Sequence, residues 1–146
     1  MNNDDLHSNM SRLKGNPAWQ IKRHAGSYIG IDAGSEVTNN YGRVVGSLTL
    51  WIYSPWIIYK SEGLVLCAND PQERIDKEFE MLTGKIISDI TVDQKLFDII
   101  VEFDSKYWLQ TFTSGLDMDY WWLRIWGICT IDSSKGSIIQ KQHKGK

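Results

Sequence analysis

The sequence predicts a mainly β fold, with antiparallel sheets forming either a sandwich or one strongly curved sheet of about eight strands, and a single helix near 71–82. Three observations carry this. Aromatic and β-branched residues fill long stretches such as 48–53 and 120–131. Polar turn residues break these stretches at hairpin spacing. Only 71–82 joins a helical start signal to helical periodicity.

In chain order, 1–15 is polar apart from Leu6, Met10 and Leu13 and reads as a loose arm or short helix. Asn16-Pro17 punctuates the start of a short strand at Trp19-Gln20-Ile21. Asp32-Ala33-Gly34-Ser35 is turn chemistry and makes 27–38 a candidate hairpin. Asn39-Asn40-Tyr41-Gly42 marks a loop. The strand at 48–53 ends where Pro55 interrupts it. Ile57 to Tyr59 and Leu64 to Cys67 are expected to pair across Lys60-Ser61-Glu62-Gly63.

Asp70-Pro71-Gln72-Glu73 reads as an Asp N-cap, a Pro at the first helical position and a Glu three residues after the cap. Ile75, Phe79 and Leu82 then fall on one helical face, and Gly84 closes the helix. The strand at 86–92 is expected to point Ile86, Ile90 and Val92 inward. Asp104-Ser105-Lys106 turns 99–103 back on 108–112. The third run, 120–131, reads as one strand with Trp121, Leu123 and Ile125 toward the core and Tyr120, Trp122, Arg124 and Trp126 on the other face. There Arg124 has a Trp two residues away on each side, within reach for stacking of its guanidinium on an indole.

The two sides of the helix look alike in plan. Setting Ile29-Gly30-Ile31-Asp32 over Val101-Glu102-Phe103-Asp104 also sets 48–53 over 120–125, so 26–67 and 98–131 form a pseudo-repeat. Such a repeat predicts two similar sheets with a helix between them in sequence.

At 146 residues the chain suits one globular domain, 16–134, followed by a basic, solvated tail at 135–146. The formal net charge of -2 argues against nucleic acid as a partner, because phosphate neutralisation needs a basic stripe. No apolar run approaches the ~20 residues of a membrane helix. The polar N-terminus lacks the pattern of a secretory signal, so a cytoplasmic protein with reduced, buried Cys67 and Cys129 is expected. His7, His24 and His143 are expected as separate surface histidines. No metal, cofactor or catalytic residue is expected, since the chain has no zinc spacing, no phosphate-binding glycine loop and no nucleophile elbow.

The spaced set Gly15, Pro17 and Trp19, then Gly26-Ser27-Tyr28, then Leu50-Trp51-Ile52-Tyr53 with Trp56, resembles a group of small uncharacterised bacterial proteins. The resemblance runs from about Leu13 to Leu123, through Leu82-Thr83-Gly84-Lys85-Ile86 and the strands beyond it. Its second half also resembles proposed immunity proteins of bacterial toxin systems. Where the better-matching members carry an aromatic and a small residue, this chain has Ile31-Asp32. The resemblance implies a bacterial cytosolic protein and supplies no functional residue.

The function expected from these residues is non-enzymatic binding of another protein, as an immunity or accessory factor that occludes it. Trp122, Arg124, Trp126 and Trp51 would anchor the partner, and Asp117 and Asp119 would steer a basic one. The alternatives are a small-molecule binder or enzyme with a pocket between the sheets, lined by Trp51, Trp122 and Trp126, and a homodimer that buries the aromatic face.

Overall fold

In the computed structural model of the chain, the described residues are 3–24, 28–93, 95–112, 119–134 and 137–143. Helix α1 (Asn3–Met10) and a 3₁₀ turn (Ser11–Leu13) lead into strands β1 (Ala18–Arg23), β2 (Ile29–Thr38), β3 (Val44–Ile52), β4 (Trp56–Lys60) and β5 (Gly63–Cys67). Helix α2 (Gln72–Leu82) comes next, then β6 (Ile87–Val92), β7 (Ile99–Phe103), β8 (Tyr107–Thr111), β9 (Asp119–Ile125), β10 (Cys129–Ser134) and β11 (Ser137–Gln142). All pairings are antiparallel, in a six-stranded sheet of order β1-β2-β3-β9-β10-β11 and a five-stranded sheet of order β5-β4-β8-β7-β6. The mainly β fold expected from the sequence is the one that forms, with more strands than the eight expected and a second helix.

Strand alternation gives each sheet one buried face. Ile31, Leu50, Leu123 and Ile131 of the six-stranded sheet and Val101, Leu109, Ile58 and Leu66 of the five-stranded sheet belong to one core. Leu6, Met10 and Leu13 anchor the N-terminal segment in that core, and Ile75, Phe79 and Leu82 anchor α2, whose Phe79 ring meets that of Trp56 at 5.6 Å. At Tyr53-Ser54-Pro55 the chain leaves one sheet for the other, since Pro55 has no N–H to give to a ladder.

The pattern of strand pairing recurs in the two halves, but in an alignment different from the expected one. Gly15 and Gly84 come after the two helical segments with φ of 88° and 91°. Gly15 N–H donates to the Ile87 carbonyl and Gly84 N–H to the Ala18 carbonyl, while Pro17 and Ile86 form an antiparallel bridge. These contacts interchange under a two-fold correspondence that matches Gly15 with Gly84, Ala18 with Ile87 and Pro17 with Ile86. The same correspondence carries β1 onto β6, each with a bulge after its first residue, and Gln20↔Asp32↔Thr49↔Arg124 onto Asp89↔Glu102↔Trp108↔Tyr59. It also exchanges the two buried tryptophans Trp121 and Trp56.

The expected alignment fails because it laid 48–53 over 120–125. Those segments are β3 and β9, which pair directly in the same sheet. Each half therefore contributes to both sheets, with β3 and β9 joining the halves in one and β4 and β8 in the other.

Several local expectations change for physical reasons. Asp32-Ala33-Gly34-Ser35 is a bulge inside the continuous strand β2, not a turn. The run 120–131 is two strands, because Gly127 at φ 72° turns the chain between β9 and β10. A register shift between Ile87 and Asp89 turns Ile87 and Ile90 inward and leaves Ile86 exposed. Asp70 does not cap α2: its carboxylate accepts the Cys67 N–H at 2.9 Å, and Pro71 occupies the cap position. Much of the expected basic tail is β11, paired along β10. Both cysteines are free, but only Cys129 is buried and Cys67 is half-buried. Among the described residues, no helix is long and apolar enough to cross a membrane.

Candidate functional site

The outer face of the six-stranded sheet carries two adjacent cross-strand rows. One is Gln20, Asp32, Thr49 and Arg124, and the other is Lys22, Gly30, Trp51 and Trp122. Both lie on one face because alternate residues of β1, β2, β3 and β9 point the same way while their neighbours enter the core. Together with His24 and the rim residues Asn39, Arg43, Val44 and Val45 they line a groove of about 510 Å³.

Aromatic and cationic planes form a ladder across this face. His24 stacks on Trp51 with centroids 4.1 Å apart, and Trp51 stacks on Trp122 at 5.7 Å with ring planes 4° apart. The Arg124 guanidinium carbon lies 5.6 Å from the Trp122 ring centroid and 5.5 Å from that of Trp126. Gly30 leaves room for the inner rungs, since a Cβ there would meet His24 Nε2 at 3.0 Å and Trp51 carbons at 3.2 Å. Trp122 Nε1–H donates to the Tyr53 hydroxyl at 3.1 Å. The Nε–H of Arg124 and the Nε1–H of Trp51 are buried and find no acceptor among the described residues.

Asp32 is the anionic floor of the groove, and its carboxylate is fully engaged. Oδ1 accepts from Gly46 N–H at 2.9 Å and from the Thr49 hydroxyl at 2.8 Å, and Oδ2 accepts from Gln20 Nε2 at 2.9 Å. These bonds lock the β2 bulge against β3. Arg124 Nη2 reaches Thr49 Oγ1 only at 3.5 Å, so a hydroxyl stands between the guanidinium and the carboxylate. Burial lowers the pKa of Arg124, with Asp32 opposing. Burial also lowers that of His24, helped by Lys22 and Arg23 and opposed by Asp32.

Of the residues singled out in the sequence, Trp51, Trp122 and Arg124 come together on this face. Trp126 belongs to the turn after β9, where it covers the outer side of Arg124 and faces a separate hollow with Arg12, Leu48 and Ile128. Asp117 lies outside the described residues, and of Asp119 only the backbone, which opens β9, is described. The pocket expected between the sheets is instead on the outside of one sheet, because apolar side chains fill the space between them.

Sequence reading missed Gln20, Asp32, Thr49 and His24. Asp32 was hidden by turn-like neighbours that form a bulge, and His24 by its place in a loop. The period-two pattern of 48–53, which sets Thr49 and Trp51 opposite Leu50 and Ile52, was the available signal for Thr49. Among the described residues no group of three or more His, Cys, Asp or Glu side chains is placed to hold a metal ion. Compared with protein-family models, with curated proteins and with solved structures, the chain has no match.

Proposed function

We propose that this is a non-enzymatic binding domain that occludes a partner protein, as an immunity or accessory factor does, through the outer face of the six-stranded sheet around Trp51, Trp122 and Arg124. The observation that carries this is an internal comparison. The two-fold correspondence between the halves matches inward positions in kind: Ile31 with Val101, Leu50 with Leu109 and Leu123 with Ile58. It matches outward positions with different chemistry: Trp51 with Gln110, Trp122 with Ile57 and Arg124 with Tyr59. One fold thus forms with or without the ladder, so the ladder is more than the sheet requires. Half-buried tryptophans and an arginine at the centre of an open face are the residues that dominate protein interfaces.

A photo-crosslinking side chain placed at Val44, an exposed rim residue, tests this in cells of the source organism. The expected result is a crosslinked partner whose yield falls with Trp122→Ala, and no such product from Leu64 on the other sheet. Crosslinks that ignore Trp122→Ala, or none at all, would reject the reading. The groove volume also falls in the range of small-ligand sites, which supports small-molecule binding at the same face as a second reading.

A further inference from the structure

We infer that the partner presents an acidic segment, and that its carboxylates dock on Arg124 with Lys22 and Arg43 at the rim of the groove. This rests on the protein-binding reading and reverses the sign of the partner expected from Asp117 and Asp119. Three cations, Lys22, Arg43 and Arg124, line the groove against one carboxylate, Asp32. Asp32 keeps its charge but makes no ion pair with any of the three, its oxygens accepting from Gln20, Thr49 and Gly46 instead, so the groove keeps more positive than negative charge. The ion pairs found among the described residues, Lys14–Asp89, Arg23–Asp76 and Lys85–Asp104, use none of the three.

Arg124 is also prepared for an anion. Its guanidinium is held between the Trp122 and Trp126 rings and touches Thr49, so little side-chain freedom remains to be lost when a carboxylate meets it. A half-buried guanidinium without a carboxylate in contact is electrostatically under-compensated, and a charge-assisted, fork-like contact on its open side supplies what is missing. The other half of the molecule is again the comparison, with Tyr59 in the place of Arg124 and Thr91 in the place of Lys22. The cations, like the ladder, are not demanded by the fold. The indole and valine walls favour a peptide, which brings apolar surface with its charge, over a bare phosphate.

Titration of the full chain, followed by tryptophan fluorescence, tests this with acetyl-tetraglutamate amide, acetyl-tetralysine amide, inorganic phosphate and adenosine monophosphate at equal ionic strength. The expected result is a saturable response to tetraglutamate below about 10 mM, weakened at least about tenfold by Arg124→Gln and reduced by added salt. Tyr59→Ala should leave it unchanged. If Arg124→Gln does not fold, Lys22→Glu combined with Arg43→Glu at the rim must abolish the response instead. Absence of saturation with tetraglutamate, an equal response to tetralysine, or tighter binding of phosphate or the nucleotide would each overturn the inference. A crosslinked partner at Val44 alongside any of these would leave the protein-binding reading standing without its acidic partner.

Discussion

Trp51 and Trp122 are directly paired across β3 and β9, and their indole rings lie nearly parallel with centroids 5.7 Å apart. The sheet enforces the stack, since the two side chains leave neighbouring strands on the same face. Trp122 is half-buried, whereas its neighbour Trp121 is fully buried in the core. Trp122→Ala is therefore expected to cost about 1–2 kcal/mol, the loss of a stacked pair and part of an indole's burial. Trp121→Ala should cost about 3–5 kcal/mol through the cavity it leaves. Urea melts of both variants check this, and a loss above about 3 kcal/mol for Trp122→Ala would make that residue a core element.

Asp32 holds the bulge of β2 against β3 through Gly46 N–H and the Thr49 hydroxyl. Asp32→Asn keeps the shape but turns one acceptor into a donor, leaving a buried polar group badly matched. The expected loss is about 1–3 kcal/mol. Its two-fold mate Glu102 is less buried and accepts from the Ser88 hydroxyl, so Glu102→Gln should cost less in the same melts. Equal losses would mean that the bulge does not depend on the Asp32 carboxylate.

The pKa of His24 is lowered from its ordinary 6.5 in the folded state, first by burial and then by Lys22. Above 6.5 the ring is neutral in both states and contributes no pH dependence. As the pH falls below 6.5 the unfolded chain binds a proton that the folded chain resists, so stability declines until the lowered folded pKa is passed. Asp93, also lowered from its ordinary value of 3.8, acts in a separate window below that value. Denaturation midpoints should therefore drop as the pH falls below about 6.5, and His24→Gln should flatten that part of the profile. A profile that His24→Gln leaves unaltered would exclude the histidine as its source.

How far the sequence could be read depended on the range of the interaction. Alternation within one strand was legible, so the inward set Trp121, Leu123 and Ile125 and the stacking of Arg124 on its flanking tryptophans were both reached from spacing alone. Pairing between distant strands was not. Nothing local distinguishes β9 as the mate of β3 from β9 as its repeat, and the alignment of the halves failed for that reason. Bulges defeated the reading in another way: the extra residue in β2 after Ala33 made Asp32 look like part of a turn, and the one in β6 after Ile87 broke the alternation that set Ile86 inward.

The two cysteines should differ in reactivity. Cys129 is buried, and that burial raises its thiol pKa, whereas Cys67 lies half-buried opposite Ile57 on the outer side of β5. A thiol reagent should label Cys67 well before Cys129 in the native protein, because only the accessible thiolate reacts. Comparable rates at both sites would contradict the burial of Cys129.

Gly30 gives the sharpest way to disturb the ladder without touching the fold. Its two-fold mate is Ile100, so the backbone at this position accepts a branched side chain. A Cβ on residue 30 would nevertheless stand 3.0 Å from His24 Nε2 and 3.2 Å from Trp51. Trp51 is held by Trp122 on its other side, while His24 lies beyond the end of β1, so the imidazole should be the group that gives way. Gly30→Ala is accordingly expected to shift overall stability by less than about 1 kcal/mol, since the gain from a stiffer unfolded chain offsets much of the crowding. Displaced from Trp51, His24 becomes better hydrated and its pKa should rise back toward the ordinary value. Titration of the His24 ring by NMR in the wild type and in Gly30→Ala measures this directly. An unmoved titration would mean that Trp51, not His24, had yielded, and the tryptophan fluorescence would then have to change in its place.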